Sequence, residues 1–146
     1  MLISLILSAA LQATAPADAI GEFRALCLAT AGDANRVAAT VIERGGWNTP
    51  ARTGDLFIWS RLDDPTTTLI TGVQQGRVVC MLKKPEIVNV EAALAAGLGP
   101  HFGAVGDSGL HVFAPSAEAF AARDLTFIQT ANADGHTTLT AIRPPR

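Results

Sequence analysis

The chain has two cysteines, Cys27 and Cys80, and each falls inside a strongly patterned segment. Cys27 shares an apolar stripe with Ile20, Phe23 and Thr30, at the alternating short steps that place side chains on one face of a helix. Cys80 alternates with Val78 and Leu82 on one face of a strand, while Val79 and Met81 take the other, so this strand is expected to be covered on both sides. If the two thiols join, that helix must lie on that strand, and the fold becomes a helix layer on a sheet. The cysteines are too far apart for a redox Cys-x-x-Cys, so the expected bond is a structural staple that leaves no free thiol.

Whether the thiols join depends on compartment, and the N-terminus speaks to that. Residues 2–11 read LISLILSAAL, followed by QATAPADA. A run this short cannot span the roughly 30 Å hydrocarbon core as a helix, but it suits the apolar region of a cleavable signal peptide. Small-x-small sites precede cleavage after Ala15, Ala17 or Ala19, and Pro16 disfavours the first. The segment before the run lacks Lys and Arg, so the competing reading is a buried hydrophobic N-terminal helix. A lipoprotein is excluded because Leu26 stands where a small residue must precede the modified cysteine. The expected organisation is a signal peptide over 1–17 and a single compact domain over 18–146, with a periplasmic address and no membrane span in the mature chain.

Of the 146 residues, 49% are hydrophobic and 16% charged, a balance that supports a folded core without a metal or several crosslinks. A net charge of −2 with scattered basic residues gives no footprint for nucleic acid or anionic lipid. Lys83 and Lys84 are the only lysines among 11 basic residues, and with abundant alanine they suggest a GC-rich bacterial genome.

The patterning predicts an α+β fold, an N-terminal helix pair packed on a mainly antiparallel sheet of about five to six strands. The first helix runs from Asp18 to Gly32. The second is capped by Asp33, presents Val37, Ala38, Val41 and Ile42 as its apolar face, and stops at Gly45 and Gly46. Trp47 is expected to close the pair onto the core. Strands are expected over 56–59, 67–73 and 77–82, a short helix over 90–96, and a glycine-rich loop over 97–109. A strand over 110–114 and a small helix over 116–123 follow. Strands over 125–130 and 137–142 then form a hairpin around Asp134-Gly135, with threonines lining a wet side. No internal repeat is evident.

The glycine loop holds the binding candidates His101, Phe102, Asp107 and Ser108. Gly106-Asp107-Ser108-Gly109 is similar to the serine motif of trypsin-like proteases and, with Leu110, to that of GDSL hydrolases. The chain is too short for the first fold and lacks the parallel α/β frame of the second, so the string reads as a turn and no catalytic residue is assigned. His101, Asp107 and His111 could approach one another across the loop. Otherwise His101 is a surface imidazole, His111 a strand residue and His136 a turn residue. No histidine pair sits at helical ligand spacing, and Gly99, Gly103 and Gly106 do not fit a dinucleotide loop, so neither metal nor cofactor is expected.

From Phe23 to Trp47 the order FRALCLATAGD, a short helix and GGW resembles a group of small exported proteins of alphaproteobacteria with no established activity. The resemblance implies export, a helix pair ahead of a sheet, and one cysteine in each part. The function expected is a non-enzymatic periplasmic module that binds an envelope component or another protein, in the manner of small inhibitors of lytic enzymes. The alternative is a small hydrolase with Ser108 as nucleophile and His101 or His111 as base.

Overall fold

The computed structural model describes residues 18–98, 101–104, 110–113 and 127–143. Asp18 opens α1 (Ala19–Phe23), its carboxylate accepting the Gly21 amide at 2.6 Å. The helix then widens into a π-helical turn over Arg24–Leu28, where Ala29 N–H donates to the Arg24 carbonyl. The stripe Ile20, Phe23, Cys27 and Thr30 is buried throughout, and Leu26 joins it. After a turn, Asp33 caps α2 (Ala34–Arg44) through the Arg36 amide at 3.0 Å. Val37 and Val41 are buried but Ile42 is 79% exposed, so the face of α2 that meets the sheet is narrower than its apolar residues suggest.

Eight strands form one antiparallel sheet: β1 (Ala51–Thr53), β2 (Leu56–Ser60), β3 (Thr68–Gln74), β4 (Arg77–Lys84), β5 (His101–Ala104), β6 (Leu110–Phe113), β7 (Phe127–Ala133) and β8 (His136–Arg143). Their order across the sheet is β1-β2-β3-β4-β8-β7-β6-β5. The six strands expected from sequence are present. The two further ones, β1 and β5, are short edge strands in segments whose proline and glycine read as loop. In β5 the pairing with β6 shifts register between His101 and Ala104, so Gly103 lies at an irregularity of the kind glycine marks in strands. The helix expected over 116–123 and the Gly106–Gly109 string lie outside the described residues.

Turn chemistry sets the register. Asp134 (φ 51°) and Gly135 (φ 76°) both take the left-handed region that a two-residue type I′ hairpin requires, and Ala133 pairs with His136 across it. Gly72 is fixed by closeness: a Cβ there would fall 2.0 Å from the Asp55 carbonyl oxygen. The threonines after the hairpin do not line one wet side. Thr137 is buried, its hydroxyl accepting the Val88 amide at 2.8 Å, and Thr140 is 8% exposed on the opposite face.

One face of the sheet carries the core. Across β2, β3, β4 and β8 the rows are Phe57, Thr71, Cys80, Ala141 and Trp59, Leu69, Leu82, Leu139. Against these rows lie α1, its π-helical continuation and α2, together with Val88 and with Ala93 of α3 (Val90–Ala95). Trp47 pairs with Arg61 as an isolated bridge and joins the core. Cys27 and Cys80 form a disulfide with Cα atoms 5.4 Å apart, joining helix to strand as the two apolar patterns require.

Cross-linking across 53 residues restricts the unfolded chain by about 4 kcal/mol in the loop-entropy model. Cys27→Ala and Cys80→Ala should each lower stability by up to that amount, and the double variant should be no worse than either. Denaturant melts of the three, beside thiol titration of the parent, check this. A second expectation concerns Thr71, which is 0% exposed and whose hydroxyl lacks a hydrogen-bond partner among the described residues. Thr71→Val should stabilise the protein by about 1 kcal/mol in the same melts, since the methyl needs no partner.

Candidate functional site

Two clusters gather polar side chains within the fold. The first locks the helix layer to the sheet. Glu22, 3% exposed on α1, receives Lys84 Nζ at 2.7 Å and lies 3.5 Å from an Arg61 guanidinium nitrogen. Arg61 in turn donates to Asp63 at 2.9 Å and sits 5.5 Å over the Trp47 ring. The Asp63 hydrogen bond, with Glu22 behind it, raises the Arg61 pKa, and Arg61 holds the Asp63 carboxyl below its ordinary value. Asp64 is likewise depressed, because the Thr66 and Thr67 hydroxyls donate to its oxygens. Whatever stability these two carboxylates add is therefore complete above the ordinary carboxylate range and lost as pH falls through their depressed folded values. A buried carboxylate with each oxygen facing a basic side chain is a structural clamp.

The second cluster lies at the far end of the sheet. Register carries the core rows outward, from Leu139 through Thr130 to His111 and from Ala141 through Ile128 to Phe113. His111 and Phe113 therefore stand on the helix-covered side, and Phe113 is fully buried. His101, on β5, meets both. Its Nε2 is 3.0 Å from His111 Nδ1, and its ring centroid is 5.2 Å from that of Phe113. Both histidines are half-buried, so the surface position expected for His101 is replaced by an inward one.

The geometry of the pair identifies what it holds. The ring centroids are 5.1 Å apart and the facing nitrogens 3.0 Å, so the rings meet nearly end to end along the N···N line. That is the arrangement of one proton shared between a donor and an acceptor nitrogen. An ion bound by both at about 2.0–2.1 Å would need the ring axes to converge on a point beside that line. Among the described residues, no group of three histidine, cysteine, aspartate or glutamate side chains could hold a metal.

Of the residues singled out from sequence, the structure brings His101 and His111 together and places Phe102 in β5 by its backbone. Asp107 and Ser108 lie outside the described residues. Cys27 and Cys80 form the expected disulfide. His136 opens β8 just after the turn, a ring nitrogen 3.0 Å from the Asp134 carbonyl oxygen. Sequence reasoning passed over Glu22 and Lys84. A glutamate next to Phe23 on the buried stripe was the available signal, but a carboxylate there is more often solvated.

The second face of the sheet forms a further surface. Leu56, Ile58, Ile70, Met81 and Ile142 occupy it in two cross-strand rows and are half-buried, whereas Val79 beside them is buried outside the core cluster. The full cover expected for both sides of β4 is thus found on the helix side, with Met81 only half-covered on the other. Among the described residues no helix is long and apolar enough to cross a membrane. No protein-family model, curated protein or solved structure matches the chain.

If His101 and His111 share one proton, each single alanine substitution should cost about 1 kcal/mol, and the double variant no more than the larger single. Nitrogen NMR in mildly alkaline solution should show a through-hydrogen-bond coupling between His101 Nε2 and His111 Nδ1. Two rings with no mutual coupling would remove the pair.

Proposed function

We propose that this chain is an exported periplasmic binding module without catalytic activity, which engages an envelope component or another protein through the face of its sheet away from the helices. The observation that carries the reading is the row of half-buried apolar side chains, Leu56, Ile58, Ile70, Met81 and Ile142, spread over neighbouring strands on the side away from the core. Apolar side chains gathered on one face and only half-covered by the described residues are what a docking surface for another molecule requires. Spread over four paired strands, it suits a protein surface or a polymer better than a small metabolite, which favours concave sites. The disulfide supports the exported address, because paired thiols persist in oxidising compartments. Inhibition of a lytic enzyme is one role such a surface would serve.

The test is photo-crosslinking in cells that export the protein. A photoreactive residue at position 70 or 81 should give adducts with an envelope component, and one at position 42, exposed on α2, should not. The same purified protein should stay unlabelled by a fluorophosphonate. Labelling abolished by Ser108→Ala, or adducts from position 42 alone, would replace this reading with another.

A further inference from the structure

Two peptide bonds remain open in the sequence for removal of the N-terminal segment, Ala17–Asp18 and Ala19–Ile20. The fold treats them differently. Asp18 is exposed and outside the helix, and its carboxylate caps α1 through the Gly21 amide at 2.6 Å. A Cβ at Gly21 would come 2.8 Å from that carboxylate oxygen, so the cap is shaped around glycine. Ala19 is 0% and Ile20 8% exposed, and both belong to the core cluster. The Ala19 amide donates to Glu86 Oε2 at 2.9 Å, tying the start of the helix to the segment that follows β4.

We infer that the mature chain begins at Asp18, with Glu86 beside its new α-ammonium group. The inference rests on the export reading above. Water adds across the Ala17–Asp18 bond in a signal peptidase, leaving a carboxylate on Ala17 of the released leader and an amine, protonated in solution, on Asp18. Ala15 and Ala17 supply the two small residues such an enzyme requires. A positive charge at a helix N-terminus is unfavourable by itself. Here it arises one residue before the amide that Glu86 already accepts, and next to the Asp18 carboxylate. Cleavage two residues later would discard the cap, empty the space filled by Ala19, strip Glu86 of its donor, and place the ammonium on buried Ile20.

Mass spectrometry of the protein from the periplasm of the cell that makes it should find Asp18 as the first residue. In parallel, purified 18–146 and 20–146 should differ in melting temperature by about 4 °C or more in favour of the longer chain, or the shorter should fail to fold. Glu86→Gln in 18–146 should lower the melting temperature by a smaller step. A native start at Ile20 or at Pro16, or equal melting of the two chains, overturns the inference and leaves export standing. Intact Met1 confined to a cytoplasmic fraction overturns the export reading beneath it.

Discussion

The fold depends on how its first helix is held to the centre of the sheet, and two attachments made of different chemistry do this. The Cys27–Cys80 disulfide is covalent and lies in the core. The Glu22–Lys84 ion pair, five residues away along the helix and four along the strand, is polar, with Glu22 buried and Lys84 half-buried. Together they determine both the position of the helix on β4 and its direction, because a single point of attachment would leave it free to pivot. The π-helical turn over Arg24–Leu28 contains the covalent one of these attachments, at Cys27. Leu26 and Cys27, adjacent in that turn, are both buried in the core.

Much of this arrangement is legible in the sequence because it rests on periodicity. The stripe through Ile20, Phe23, Cys27 and Thr30 and the alternation around Cys80 place both thiols in one layer, and Asp134-Gly135 sets a hairpin by backbone preference alone. What sequence does not convey is whether an apolar residue at a legible position is covered. Ile42 continues the pattern of Val37 and Val41 yet faces solvent, since cover depends on where the helix axis crosses the sheet. β5 is hidden for another reason. Its His-Phe-Gly-Ala sequence lacks strand propensity, and its pairing with β6 comes from tertiary context. The His101–His111 contact follows from that pairing, so the site could be suspected from sequence but its geometry could not.

The sheet has a symmetry that the sequence conceals. Each half of the chain supplies helix followed by a four-stranded meander, β1 to β4 and β5 to β8, and the meanders meet through their last strands. No repeat is visible in the residues, since the two halves reach the same topology with different packing: a disulfide and an ion pair in the first, a histidine pair and a buried threonine in the second. The α3 segment carries the chain from the middle of the sheet to its far edge, and Val88 and Ala93 join the core on the way.

That topology has a consequence for a chain delivered in order from its N-terminus. Both cysteines, α1 with its π-helical continuation, α2 and four neighbouring strands all precede residue 85, so oxidation of the thiols needs nothing from the second half. β4 then stands as a temporary border, with one row of amides and carbonyls unpaired until β8, the last strand, closes against it. A crosslink closed at that stage would secure a half-built sheet while its growing edge is most open to the wrong neighbour.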